Sequence, residues 1–520
     1  MQKYFYFAPG RPLWFELAEK LSSKNVASPV FYLGDNTHME AMSRSFPNCQ
    51  VADFRDPLYG LNLNKQNVST ESLMPLRDSS ITDIKDVCMK MMDRLDLFGC
   101  FRRVDREALF YNVALWASRL FDALTPNFLL FGEAPHSWPQ YIFYRIAKLR
   151  NVKTLIFGQW SIAPALYLRE EIMSAPVSRV RPDTFVSDDA VVDRVKEYFL
   201  DVDPSNFQVM SPDYMRQQEE LVSGGGIKTF LRWARRVLRV ALREKYKNMS
   251  YPLGSIEYIS EKASEDVRGI SGLALLSGHP DWSLRWASLI GQARRNKFLR
   301  DVLKENTGGD VGINFVYFPL HYEPERTTCP DGDLFHDQVR ALIALRSTLP
   351  SDFQIVVKEH RSQISGALRG DLGRSPYFYE AITQIDNVIL ASVETPSEEL
   401  IKDCAFVATI SGTAALEAAL LGRKALILGH VWFAGCPNVF SFGTETTLSD
   451  ILEGSPRSRS EVEDWILGLY KRTAVPGFQN PSGLVRFKDF EDLDGFRDDE
   501  LLGAFGLVES ALHASGEGKA

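Results

Sequence analysis

Cysteine is scarce and scattered. The 520 residues hold six (Cys49, Cys88, Cys100, Cys329, Cys404 and Cys436), with no C-x-x-C pair and no Cys/His cluster at zinc spacing. That excludes a disulfide scaffold, and reduced thiols in a cytoplasmic protein are expected. No run of eighteen uninterrupted apolar residues occurs, so no membrane-spanning helix is expected. The opening M-Q-K-Y-F-Y-F-A-P-G lacks the charged region, long apolar run and cleavage site of a secretory signal. Positive charge is also short. There are 59 Lys and Arg against 67 Asp and Glu, a net charge of −8, which argues against nucleic acid as the partner.

What remains is an ordinary globular composition, 45% hydrophobic and 24% charged, on a chain too long for one domain. Residues 1–165 alternate apolar strand-like runs (Tyr4–Ala8, Val30–Leu33, Val51–Phe54, Phe128–Phe131, Thr154–Phe157) with helical spacing at Leu13–Leu21, Asp83–Leu97, Arg106–Leu124 and Pro139–Leu149. Strand signals fade over 166–310, where charged helical stretches and a Gly-Gly-Gly at 224–226 predict a helical insertion. The alternation resumes over 311–450 with strands at Phe315–Phe318, Gln354–Val357, Val388–Leu390, Phe406–Ile410 and Ala425–Leu428. Residues 451–520 read as two helices and a disordered acidic tail. The expectation is an α/β chain with two Rossmann-like domains facing a cleft, ligands lying beyond the carboxyl ends of the strands.

The motifs fall at those strand ends. In T-I-S-G-T-A-A-L-E-A (409–418) a strand runs through Ser411, Gly412 and Thr413 straight into a helix. Small residues there expose backbone N–H groups at a positive helix end, a seat for phosphate. Glu417, one turn in, is placed to accept from ribose hydroxyls. The plainer alternative is a capped helix with a favourable first-turn acid. His321, in F-P-L-H-Y-E-P-E, and Lys358 and His360, in V-K-E-H-R, end neighbouring strands; cationic and imidazole donors suit a phosphate, while a solvated strand end is the alternative.

In the first domain, Glu133 and His136 of F-G-E-A-P-H-S-W-P-Q supply an acid and an imidazole at a strand end, for general base or nucleophilic work, or else for capping. Gln159 ends the next strand. Gly10 and Arg11 make a tight loop after the first strand, as ligand contacts or a plain turn. Asp331-Gly332-Asp333 matches a metal-binding D-x-D, but similar triplets elsewhere make it a chance occurrence, and no metal is expected. The segment 227–247 places Arg232, Arg236, Arg239 and Arg243 on one helical face with Trp233 nearby. It reads as a contact with an anionic membrane surface or as a packing helix.

The stretches F-V-Y-F-P-L-H-Y-E-P-E (315–325), V-V-K-E-H (356–360), R-S-P-Y-F-Y (374–379) and V-A-T-I-S-G-T-A-A-L-E-A with G-R-K-A-L-I-L-G (407–429) resemble bacterial capsule polysaccharide biosynthesis proteins, a family that includes β-Kdo transferases. E-A-P-H-S-W-P resembles that family's acid-x-Pro-His stretch more loosely. Many relatives carry His-Pro where this chain has His360-Arg361.

The resemblance implies a metal-independent, retaining GT-B glycosyltransferase with no cofactor. It implies a nucleotide-sugar donor, CMP-linked Kdo or a related acidic sugar, and a glycan or lipid-linked glycan acceptor at the inner face of the cytoplasmic membrane. It assigns the donor phosphate to Ser411, Gly412, Thr413, His360 and Lys358, the ribose to Glu417, a place beside the donor to His321, and the sugar carbon to Glu133 or His136. A nucleotide-sugar 2-epimerase and a non-catalytic scaffold in polysaccharide assembly are the alternatives.

Overall fold

The computed structural model describes residues 1–34, 36–53, 80–93, 103–178, 185–205, 208–209, 282–364, 370–443, 446–480 and 487–513. The chain divides into two compact units, the first taking in Met1–Val192 and Tyr470–Ala520, the second Arg285–Leu469. Both are α/β and Rossmann-like, as the alternation predicts.

The first unit is built on β1 (Gln2–Ala8), β2 (Ala27–Gly34), β3 (Gln50–Asp53), β4 (Phe128–Phe131), β5 (Lys153–Gln159) and β6 (Ala165–Arg169), joined by a returning strand, Ala474–Pro476. The order is returning strand, β6, β5, β4, β1, β2, β3. The stretch β5-β4-β1-β2-β3 is parallel, while β6 and the returning strand pair antiparallel. Period-2 alternation in β1 sends Tyr4 and Tyr6 to one core with Trp14, Leu17, Phe157 and Val508. Phe5 and Phe7 meet Phe31, Phe131 and Phe143 on the other face, Phe7 stacking on Phe131 at 4.5 Å. A sheet buried on both faces explains why its strands read as continuous apolar runs.

The second unit's sheet contains β7 (Phe315–Pro319), β8 (Gln354–Lys358), β9 (Val388–Ala391), β10 (Phe406–Thr409), β11 (Ala425–Ile427) and β12 (Val439–Ser441), in the order β9-β8-β7-β10-β11-β12, all parallel. This is the 3-2-1-4-5-6 order of a dinucleotide-type sheet, whose direction of winding reverses between β7 and β10. Val316 and Phe318 face one core with Leu342, Ile355 and Val357; Tyr317 points the other way.

Three elements depart from expectation. Residues 165–169 form a strand rather than the start of an insertion, and 439–441 adds a sixth parallel strand. Residues 470–513 are no separate tail: Ala474–Pro476 pairs with β6, and the helix Phe496–His513 packs Leu507, Val508 and Leu512 into the first unit's core. Of the insertion, the helices Asp188–Asp201 and Trp282–Asn306 are described, while Arg232, Trp233, Arg236, Arg239 and Arg243 lie outside the described residues. No helix among the described residues is long and apolar enough to cross a membrane. Cys49, Cys88, Cys329, Cys404 and Cys436 are buried thiols outside any disulfide.

Candidate functional site

At the reversal point of the second sheet, the loops leaving β7 and β10 meet. His321 Nε2 lies 3.1 Å from Thr409 Oγ1 and accepts from the Ser411 N–H at 3.3 Å. An imidazole nitrogen that accepts a backbone N–H carries no proton, so His321 is neutral with its proton on Nδ1. Burial lowers its pKa from 6.5 to about 4; Glu323 opposes that shift, and His360 and Arg374 add to it. Gly412 closes the contact. Its N–H reaches Thr409 Oγ1 (3.3 Å), and a Cβ there would stand 2.9 Å from that oxygen and 3.4 Å from His321 Cε1. Glycine is required by close approach.

Beyond Gly412 the helix Ala414–Leu420 begins, and its opening N–H groups have no intrahelical partner. The Thr413 hydroxyl donates to Glu417 Oε1 (3.0 Å) rather than capping the backbone. Burial pushes the Glu417 carboxyl up to about 7; the Thr413 hydroxyl opposes this and Glu398 adds to it. The Ser411 hydroxyl is engaged by the Thr327 carbonyl. Both polar hydrogens of Ser411 are therefore held inside the protein. The backbone N–H of Ala415 donates to the Gly412 carbonyl at 3.3 Å.

Lys358, at the end of β8, is buried and donates to Ser397 Oγ (2.8 Å), which also receives the Tyr317 hydroxyl (3.2 Å). His360 follows two residues later. Its Nδ1 accepts from the Ser362 N–H (3.2 Å), leaving the proton on Nε2, and burial lowers its pKa against the pull of Glu359. The two histidines of this edge are thus both neutral N–H donors.

Beneath them lies a buried ionic core absent from the sequence-based list. Arg374 pairs with Glu323 and Glu359, each at 3.0 Å, and donates to the His321 carbonyl at 2.8 Å. Its guanidinium sits 4.1 Å over the Phe378 ring. Tyr379 donates its hydroxyl to Glu359 (2.8 Å), and Glu359 accepts the His360 N–H (2.7 Å). Burial alone would lower the Arg374 pKa; the two carboxylates override it and hold the guanidinium above its ordinary value. Gln338 clamps both the N–H and the carbonyl of His321 (2.9 and 3.2 Å). Strongly polar residues inside or beside apolar strands, as in V-K-E-H, are the sequence signal for such a core.

In the first unit the reversal point lies between β1 and β4. Glu133 and His136 leave β4 with Glu133 Oε1 4.0 Å from His136 Nδ1. That nitrogen lies 2.9 Å from the Ala134 carbonyl. A carbonyl only accepts, so Nδ1 is the donor and Nε2 carries the lone pair in the neutral ring. Gly10 sits in a bend closed by the Arg11 N–H on the Pro9 carbonyl (2.9 Å). Arg11, expected as a ligand contact, is instead buried and pairs with Glu500 (2.6 and 3.0 Å). Gln159 Oε1 accepts the Gln479 N–H (2.9 Å). Asp331 of the D-G-D triplet is buried 3.5 Å from Arg326, and among the described residues no group of three or more His, Cys, Asp or Glu is placed to hold a metal ion.

No family model matches the chain, and no curated protein matches it. Among solved structures it is similar to KpsC of Thermosulfurimonas dismutans, a β-Kdo 2,7 transferase, at 14% identity and a TM-score of 0.23, over 39% of this chain and 62% of that one. It is similar to the UDP-GlcNAc 2-epimerase of Methanocaldococcus jannaschii at 9% identity and a TM-score of 0.22, over 90% and 99% of the two chains. CalG4, the calicheamicin glycosyltransferase, aligns at 8% identity and a TM-score of 0.20, over 100% and 99%. The chain spans less than two thirds of the length of the Kdo transferase it resembles. Sugar-transferring and epimerising GT-B proteins are thus its weak structural neighbours, at a likeness that says nothing about substrate.

Proposed function

We propose that the chain is a glycosyltransferase that takes a nucleotide-sugar donor at the reversal point of its second sheet. The observation that carries this is the meeting of His321 with Ser411 and Gly412 at the carboxyl ends of β7 and β10. Open α/β sheets bind nucleotides at that crevice. The donor phosphate would lie against the opening N–H groups of Ala414–Leu420 and the His321 Nδ1–H, with His360 Nε2–H as a further neutral donor. Fixed donors that need no reorganisation stabilise charge growing on a departing phosphate. Glu417 would accept from ribose hydroxyls when ionised. Lys358 would add a cation at the neighbouring strand end, and Glu133 would act at the sugar carbon as nucleophile or base. A CMP-linked acidic sugar such as Kdo is the favoured donor, with a glycan or lipid-linked glycan as acceptor. Contact of the basic segment 227–247 with an anionic membrane would bring the enzyme to that acceptor.

A calorimetric panel of CMP, CDP, UDP and GDP tests the seat. One nucleotide should bind, and Thr413→Asp, which sets a carboxylate on the phosphate, should abolish binding. Unchanged affinity in that variant would overturn the assignment. With the matching sugar donor, turnover that needs an acceptor identifies a transferase; rapid turnover of donor alone identifies an epimerase. Glu133→Gln should keep donor binding and lose turnover. Vesicles of anionic and of neutral lipid, compared for the full chain and for Arg232→Glu/Arg236→Glu/Arg239→Glu, test the membrane contact.

A further inference from the structure

The C-terminal segment that returns to the first unit does more than close a sheet edge. After Ala474–Pro476, residues 477–480 run without regular structure past the carboxyl ends of β5 and β4, and each is held by at least one hydrogen bond. The Gly477 N–H donates to the Pro164 carbonyl (2.9 Å) and the Phe478 N–H to Glu500 (2.7 Å). The Phe478 carbonyl accepts from Arg11. The Gln479 N–H meets Gln159 (2.9 Å), its carbonyl accepts from the Trp14 indole (2.8 Å), and its side chain donates to the Phe157 carbonyl (2.6 Å). Gly477 stands at φ +149, where a Cβ would press on Leu166 and Glu500. These bonds to groups of the first unit hold the irregular segment in place. What it delivers at its end is Asn480, whose amide donates to Glu133 Oε2 at 3.3 Å.

We propose that Asn480 is a positioning residue for Glu133: the returning segment carries an amide donor to one carboxylate oxygen and leaves the other facing His136. This rests on the assignment of Glu133 to the sugar carbon. Held this way, the carboxylate keeps one orientation, as an attacking or proton-abstracting group must. No other side chain gives Glu133 a hydrogen bond among the described residues, since His136 Nδ1 stands 4.0 Å away and serves Ala134.

The experiment uses the full chain with Asn480→Ala, Asn480→Asp and Glu133→Gln. Asn480→Asp keeps the shape and puts a second acid where the donor was. Water-soluble carbodiimide labelling at pH 6, read peptide by peptide in a mass spectrometer, reports Glu133 without requiring turnover. Labelling of Glu133 should rise several-fold in Asn480→Ala, with other carboxylates of the unit unchanged. Turnover of the nucleotide-sugar found by the panel should fall about tenfold or more in Asn480→Ala and further in Asn480→Asp, at unchanged donor KM, as loss of a transition-state interaction requires. Unaltered Glu133 labelling, or a rise shared by every carboxylate of the unit, would overturn the role of Asn480. Turnover surviving in Glu133→Gln would instead overturn the assignment of Glu133 itself, whatever the labelling shows.

Discussion

The backbone N–H of Ser411 donates to Nε2 of His321, a residue 90 positions earlier in the chain, across 3.3 Å. This one bond ties the loop after β7 to the loop after β10 and sets the tautomer of the ring. His321→Ala should therefore weaken nucleotide binding by about tenfold or more and lower stability by ~1–3 kcal/mol, because Ser411 and Thr409 lose their acceptor. Calorimetric titration and denaturant unfolding check the two effects separately.

The site carries two opposite pH dependences. His321 is protonated near 6.5 in the unfolded chain and at about 4 when folded, so between those values the unfolded state binds more protons. Stability from this group is full above 6.5 and falls as pH drops toward 4. Glu417 runs the other way: its carboxyl titrates at about 4.5 unfolded and about 7 folded, so its contribution is full below 4.5 and lost as pH rises through 7. Glu417→Gln should stabilise the protein by ~1–3 kcal/mol at pH 8 and leave it nearly unchanged at pH 4.5. If Glu417 holds ribose, nucleotide affinity should rise from pH 6 to pH 8 in the unaltered chain and be low and flat in the variant.

Arg374 lies between two buried carboxylates, and removing it takes this counter-charge from both. Arg374→Met should cost about 3–5 kcal/mol in unfolding experiments. Adding Glu323→Gln and Glu359→Gln to that change should restore part of the loss. Tyr379→Phe, which removes one donor from Glu359, should cost less, ~1–2 kcal/mol.

Arg11 and Glu500 give a test with the opposite readout. If Arg11 serves the fold, Arg11→Met and Glu500→Gln should each lower the melting temperature and leave the Kd of the nucleotide proposed for the second unit unchanged. A change in Kd without loss of stability would return Arg11 to the ligand.

The parallel strands of both sheets were legible because burial on two faces writes them as apolar runs of β-branched and aromatic residues. Their ends were legible for the same reason: polarity returns abruptly at His321, Lys358 and Ser411. The strands at 165–169 and 474–476 were not, being short and antiparallel, one opening directly from a helix and closing on a proline. Nothing local to R-S-P-Y-F-Y marks the role of Arg374, since its carboxylates come from loops 51 and 15 residues away. Nothing local to A-P-G-R-P marks Arg11 as the partner of an acid 489 residues later.

That last separation has a consequence for synthesis. The sheet of the first unit is made of strands from 2–169 and 474–476, and the sheet of the second lies between them in sequence. While the chain is being made, β6 presents an open edge and Arg11 lacks its carboxylate until Ala474–Pro476 and then Glu500 have emerged. The second unit has its whole sheet and its ionic core in hand well before that. The unit that holds Arg11 is therefore completed after the unit that holds Arg374, and a chain broken off before Glu500 keeps the His321–Ser411 contact while leaving Glu133 on an unfinished unit.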